Sequence, residues 1–238
     1  MSDPKNSNAA SESTPHLRTV RSYVIRGGRL TPSQQNALEK LWPIYGLEIA
    51  KGLIDPEQVF GRKAPLVMEI GFGMGDSLLQ MAQQNPHKDF IGIEVHKPGV
   101  GRLLHEIADK GISNLRVYCH DAKEILRDCI AEQSLDCVQI FFPDPWHKKK
   151  HNKRRLVQSP FIEALRPKLK LGGTIHMATD WVPYAEHMME VMSAQAHFSN
   201  AAGAQNFSLA TDRPLTKFEK RGQRLGHVVN DLIFIREA

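Results

Sequence analysis

From residue 66 onward, apolar residues come in short bursts, each giving way to an amphipathic stretch. Leu66-Val67-Met68-Glu69-Ile70 reads as a short buried strand, followed by glycines and an amphipathic segment from Ser77 to Gln84. Phe90-Ile91-Gly92-Ile93 is a second strand, with a helical stretch running on to Lys110. Leu115-Arg116-Val117-Tyr118 is a third, followed by a helix near Ala122–Ala131, and Leu135 to Phe142 is a fourth. A helix from Phe161 to Leu169 leads to a fifth strand, Gly173 to Ala178. In the helix after it, about Val182–Ala194, Met188, Met189 and Met192 fall near helical spacing and suit core packing. The chain ends in a strand, His227 to Ile235. This alternation predicts a mainly parallel α/β sheet with helices on both faces. Ligands of such sheets bind at the carboxyl ends of the strands. Glu69, Glu94, Asp121, Asp144 and Asp180 fall at or just past five successive strand ends, so all five should share one edge of the sheet.

Ahead of this core, residues 17–60 form an extension with one helix. Thr31 is its N-cap, Pro32 sits at the first helical position and Gln34 completes a capping box. The helix is expected to stop near Trp42-Pro43. Residues 1–16 are expected to be a disordered tail: Met1 to Pro15 is rich in Ser, Asn and Ala and has no apolar segment of the kind a secretory signal needs. Residues 61–238 make up the main domain.

Composition narrows the class. A chain of 238 residues with 41% apolar content suffices for one full α/β domain. No apolar run reaches 18 residues, so no membrane span is expected. Cys119, Cys129 and Cys137 are an odd set without a C-x-x-C pair, which argues against a disulfide framework or a zinc knuckle and for a reducing, cytoplasmic setting. The eleven histidines are scattered without paired ligand spacing, so no metal site is expected. The net charge of +5 matters less than its placement. Lys148, Lys149, Lys150, Lys153, Arg154 and Arg155 fall within eight residues with no acid among them. Two further basic clusters, Arg18–Arg29 and Arg213–Arg224, add to the case for a polyanionic partner.

The first strand runs into Glu69-Ile70-Gly71-Phe72-Gly73-Met74-Gly75-Asp76. The G-x-G-x-G spacing differs from the G-x-G-x-x-G that admits a dinucleotide pyrophosphate. A carboxylate at Glu69 would repel phosphate and attract a cation. S-adenosylmethionine carries an ammonium and a sulfonium and no phosphate, so it fits this signature. Glu94 is placed to accept from ribose hydroxyls and Asp121 from an adenine amino group. Asp121 and Asp76 also read as helix N-caps. Past the fourth strand, Pro143-Asp144-Pro145-Trp146 holds a carboxylate between two prolines, with an aromatic face and the basic tract following. That order suits a flat base beside a phosphate backbone.

These residues resemble the bacterial tRNA (guanine-N7)-methyltransferases. The likeness rests on Glu69-x-Gly71-x-Gly73-x-Gly75, Ile93-Glu94-Val95-His96 and the stretch from Phe141 to His151, together with Arg154-Arg155, Thr179-Asp180-Trp181 and Thr216-Lys217-Phe218-Glu219. It runs from about Arg18 to the end. It implies a class I S-adenosylmethionine-dependent methyltransferase: a Rossmann-like, doubly wound sheet with an antiparallel C-terminal strand. The implied substrate is the guanine at position 46 in the tRNA variable loop. Glu69, Gly71, Gly73, Gly75, Glu94, Asp121 and Asp144 would line the S-adenosylmethionine site, with Asp144 as the central active-site residue. Lys148, Asp180, Thr216, Lys217, Phe218 and Glu219 would hold the substrate. Lys150, His151, Asn152, Lys153, Arg154 and Arg155 would touch RNA. A cytoplasmic monomer that needs no protein partner is expected.

Three rivals remain. An adenine amino-group methyltransferase would carry an Asp/Asn-Pro-Pro-aromatic loop, and Asp144-Pro145-Trp146 lacks the second proline. A non-catalytic RNA-binding module would not need the cofactor set. A dinucleotide-dependent oxidoreductase would need the wider glycine spacing and has no use for the basic loop.

Overall fold

In the computed structural model, which describes residues 21–24, 29–209, 213–214, 219 and 228–238, strand β1 (Leu66–Ile70) lies near the middle of a sheet. All five of its residues are buried, as in a strand covered on both faces. It pairs in parallel with β2 (Asp89–Ile93) and β4 (Leu135–Phe141). With β3 (Leu115–Tyr118), β5 (Leu169–Thr179), β6 (Phe198–Asn200) and β7 (Asn230–Arg236), the sheet order is β3-β2-β1-β4-β5-β7-β6. The first five strands are parallel, and β7 runs antiparallel to both β5 and β6.

The two-residue alternation of the strands builds two cores. Leu66, Met68 and Ile70 face one core with α6 (Ala122–Asp128), α7 (Ser159–Leu165) and α8 (Val182–Ser193). Met188, Met189 and Met192 are buried there, as their spacing implies. Val67 faces the other core with α1 (Pro32–Lys40), α4 (Asp76–Gln84) and α5 (Lys97–Asp109). Among the described residues no helix is long and apolar enough to cross a membrane.

The extension differs from its expected form. The Thr31/Gln34 capping box is present and opens α1. Pro43, however, begins a helix as well as following one: it sits in the first turn of α2 (Trp42–Tyr45), where its missing N–H costs nothing. A 3₁₀ turn, Ile49–Lys51, and α3 (Pro56–Phe60) follow, α3 being capped by Asp55 through the Glu57 amide. The extension is also joined to the main core. Ala37 of α1 is buried with Val67, and Leu47 donates its amide to the Val117 carbonyl of β3. Toward the other end of the chain, α7 closes at Leu165, a 3₁₀ turn, Arg166–Lys168, follows it, and β5 starts at Leu169 rather than Gly173. The three-residue β6 has no signal in the sequence. The N-terminal tail and His227 lie outside the described residues.

Candidate active site

The sheet order arranges the five acids along one edge as Asp121, Glu94, Glu69, Asp144 and Asp180. The chain winds outward from β1 through β2 to β3, then returns to start β4 and β5 on the other side. The strand order therefore reverses between β1 and β4, the place where an open α/β sheet leaves a crevice. Glu69 and the Asp144 loop flank it.

The glycine turn at the β1 exit is held from two directions. Gly73 adopts a φ of +60°, which an L side chain rarely tolerates. Its N–H donates to Glu94 Oε2 at 2.8 Å. Glu94 Oε1 accepts from the amides of Val95 at 2.7 Å and His96 at 2.9 Å. Three donors leave the Glu94 carboxylate room for about one more, such as a hydroxyl. On the inner side, a Cβ at Gly99 would lie 1.9 Å from the Gly73 carbonyl oxygen, so only glycine lets α5 come this close. Gly99 is a site-building residue that sequence reasoning missed. Arg102 adds two ties, to the Met74 carbonyl at 2.8 Å and to the Asp76 carboxylate. Gly71 and Gly73 have open space where a side chain would project, so the outer face of the turn is free for a ligand.

Glu69 is 3% exposed, and its Oε2 has no hydrogen-bond partner. Burial, and next the charge of Glu94, push its carboxyl up to about 8. Gln139, paired in register with Glu69 across β1 and β4, also has an orphaned buried oxygen. A buried carboxyl and a buried amide oxygen that both lack partners suit a cationic or donating ligand group. An ammonium fits that need and a phosphate does not, which matches the S-adenosylmethionine expected from the glycine spacing.

Asp121 has the N-cap role weighed for it, accepting from the Lys123 amide at 2.9 Å. It is also hydrogen bonded to Tyr23, whose phenol is raised by its own burial and by the Asp121 charge. Neighbouring residues reach the opposite side of the crevice. The Ser22 carbonyl accepts from Trp146 Nε1 at 3.0 Å and the Arg21 carbonyl from Arg154 Nε at 3.2 Å. Residues 21–23 thus link the β3 exit to the β4 loop across the cofactor edge. The sequence showed only a basic cluster here.

The β4 loop is strained at both ends of its Pro-Asp-Pro core. Phe142 has φ +50° and Trp146 φ +48°, at a cost of order 1–3 kcal/mol each. Asp144 is exposed between them. Arg154 stacks on Trp146 with its guanidinium carbon 4.0 Å from the ring centroid. His147 meets Trp181 edge-on at 4.5 Å, joining the β4 and β5 exits. Lys148, Lys149, Lys150 and Lys153 are exposed, whereas His151, Asn152 and Arg154 are half-buried.

Arg155 requires a correction. It is 5% exposed, donates to the Pro145 carbonyl at 2.9 Å and lies over the Tyr184 ring at 4.7 Å. A guanidinium so enclosed braces the loop and is not available to RNA. Asp180 is half-buried directly past β5. Glu219 is 5% exposed and bound by both terminal nitrogens of Arg213, so its carboxylate is already engaged. Thr216, Lys217 and Phe218 lie outside the described residues.

The sheet order, the glycine turn and the carboxylates of its edge are those of a class I S-adenosylmethionine-dependent methyltransferase. Two solved structures share the fold. One is the 16S rRNA methyltransferase KamB, with a TM-score of 0.56 and 15% identity over 78% of this chain and 95% of that one. The other is a SAM-dependent O-methyltransferase from Thermotoga maritima, with a TM-score of 0.51 and 12% identity over 77% of this chain and 63% of that one. The profile of a family described as putative methyltransferase matches residues 63–232. A tRNA (guanine-N(7)-)-methyltransferase from Alcanivorax borkumensis is 61% identical over 93% of this chain and 93% of its own length. The chain belongs to the tRNA (guanine-N(7)-)-methyltransferase family.

Proposed function

We propose that this protein transfers a methyl group from S-adenosylmethionine to N7 of guanine at position 46 in the tRNA variable loop. The observation that carries this reading is the buried, unpartnered Glu69 beside a glycine turn, facing an exposed Asp144 across the strand-order reversal. The family supplies the base and the atom. S-adenosylmethionine contributes an electrophilic methyl on a positively charged sulfur. Glu69 accepts from its ammonium, Glu94 from its ribose hydroxyls and Asp121 from its adenine amine.

Guanine N7 has a lone pair and no proton, so no general base is needed. The protein's task is alignment of N7 with the methyl group. A second task is to accommodate the positive charge that moves onto the purine. Asp144 orients the guanine and stabilises that charge electrostatically. Asp180 shares the work by accepting from the guanine N1–H and amino edge. Lys148 holds the substrate. Lys149, Lys150 and Lys153 supply exposed charge for phosphates, and Trp146 with Arg154 forms a flat stacked surface beside them. The protein acts as a cytoplasmic monomer and needs no protein partner.

Mass spectrometry of nucleosides from unmodified tRNA, incubated with the protein and S-adenosylmethionine, tests this. 7-Methylguanosine should appear, and Asp144→Ala should abolish it. A different methylated nucleoside would overturn the substrate, and no methylated product at all would overturn the activity.

A further inference from the structure

A buried ionic chain centres on Arg213, a residue the proposed function does not use. Arg213 has a side chain only 3% accessible. Its Nε and one terminal nitrogen grip the two oxygens of Asp231 on β7 at 2.7 and 2.8 Å. Its two terminal nitrogens also bind both oxygens of Glu219. Asp231 Oδ1 meets His176 Nε2 of β5 at 2.8 Å. Burial alone would raise Asp231, but the hydrogen bonds from Arg213 and His176 outweigh it and hold its carboxyl below the usual carboxylate range. One planar fork thus joins a sheet carboxylate to Glu219, a geometry that lysine's single ammonium cannot reproduce.

The chain also touches the root of the active loop. The Arg213 guanidinium carbon lies 5.7 Å from the Phe141 ring centroid and 5.5 Å from that of Phe142. His176 meets Phe141 edge-on at 4.9 Å. Phe142 is the strained residue directly before Pro143-Asp144. In sequence, Arg213 and Glu219 bracket the Thr216-Lys217-Phe218 segment assigned to the substrate.

We infer that Arg213 is a positioning residue for methyl transfer, which fixes Glu219 to β7 through Asp231 and seats Phe141 and Phe142 beneath the Asp144 loop. The inference rests on the proposed function. Arg213 would act through its neighbours: it ties Glu219 to β7 and packs against Phe141 and Phe142. A bystander ion pair would affect folding and cofactor binding together. A positioning pair should affect turnover and should act as a unit with Glu219.

The test is a double-mutant cycle of Arg213→Lys and Glu219→Gln on the full chain. It measures kcat and KM for tRNA, S-adenosylmethionine affinity and the melting temperature. Arg213→Lys keeps the buried cation and loses the fork. It should lower kcat about a hundredfold, as a displacement near 1 Å does. Cofactor affinity should stay within about threefold, because Arg213 contacts Glu219, Asp231 and the Phe141-Phe142 root of the loop and not Glu69, Glu94 or Asp121. The double variant should be no slower than the slower single variant. Asp231→Asn, nearly isosteric and one step removed, should show the same loss confined to kcat, and it decides the matter if Arg213→Lys does not fold. Losses that multiply in the double variant overturn the inference. So does a parallel fall in cofactor affinity and melting temperature without a selective loss of kcat. A wild-type control that forms no 7-methylguanosine refutes the proposed function itself, a result distinct from multiplying losses in an active enzyme.

Discussion

Between pH 7.5 and 6, S-adenosylmethionine binding should weaken about tenfold per pH unit, because the ligand's ammonium has to displace a proton from Glu69. The ligand-free carboxyl is pushed from the ordinary 4.5 up to about 8 by burial and by Glu94. At pH 7 it is therefore roughly nine-tenths protonated. An ammonium against the orphaned Oε2 favours the ionised form, so binding at pH 7 should release close to one proton. Titration calorimetry at pH 7 in phosphate and in Tris reads this directly, because the two buffers take up the released proton with different enthalpies. Glu69→Gln should remove both the buffer dependence and the pH slope. It should also weaken binding about tenfold or more, as expected for loss of a charged hydrogen bond. Equal binding enthalpies in the two buffers, with a flat affinity from pH 6 to 7.5, would refute the reasoning. Glu69 would then be ionised before the ligand arrives, or would not meet it.

The same shift fixes the sign of a stability effect. Between 4.5 and about 8, folded Glu69 holds a proton that the unfolded chain has released. Stability of the ligand-free protein should therefore fall as pH rises through that window and level off above it. The full shift corresponds to on the order of 5 kcal/mol. Denaturant unfolding from pH 5 to 8.5 should show a shallower slope in Glu69→Gln.

Other outcomes follow from named interactions. Asp144→Asn should slow formation of 7-methylguanosine about a hundredfold, the scale of losing one electrostatic group at a transition state, while cofactor affinity changes little; unchanged turnover would dismiss the charge role. Replacing Lys149, Lys150 and Lys153 with Gln should weaken tRNA binding and lower the salt-dependence slope by about 0.9 for each phosphate that is no longer neutralised. S-adenosylmethionine affinity should hold, and an unchanged slope would show that the tract does not meet phosphates. Arg155→Gln should instead lower the melting temperature, because it empties a buried bracket between Pro145 and Tyr184; a variant as stable as wild type would contradict that placement. Gly99→Ala should destabilise by roughly 1–3 kcal/mol and disable cofactor binding together, since its Cβ collides with Gly73.

Residue patterning carried much of the fold. The run Leu66–Ile70 and the third strand, Leu115–Tyr118, are found where the pattern places them, because short, mostly apolar bursts bounded by polar residues suit strands of a covered parallel sheet. The five acids along one edge follow from the same regularity, as each strand of a parallel sheet ends on the same side. Sequence is ambiguous where a residue has two local meanings. Pro43 reads as a helix stop, but proline also starts helices, and Leu41 serves as the cap of the first helix and of the second. The same device at Asp55-Pro56 gave a further unforeseen helix.

The least legible features are contacts between residues far apart in the chain. Six cations between Lys148 and Arg155 look alike in sequence, and the Pro145 carbonyl together with the Tyr184 ring of α8 holds the last of them inward. Arg213 looks like one more basic residue until β7 places Asp231 against it. Glu69 is the intermediate case. Its spacing from the glycines announces a site for a cation. Its need for that cation comes from burial between β2 and β4, with Gln139 as its only polar neighbour in register. Local pattern thus names the chemistry of this edge, and tertiary placement sets its electrostatics. A carboxylate that is half-solvated can wait for a ligand in its ionised form. One sealed into the sheet holds a proton until the ligand arrives, so cofactor binding, proton release and pH-dependent stability should all be controlled by the same side chain.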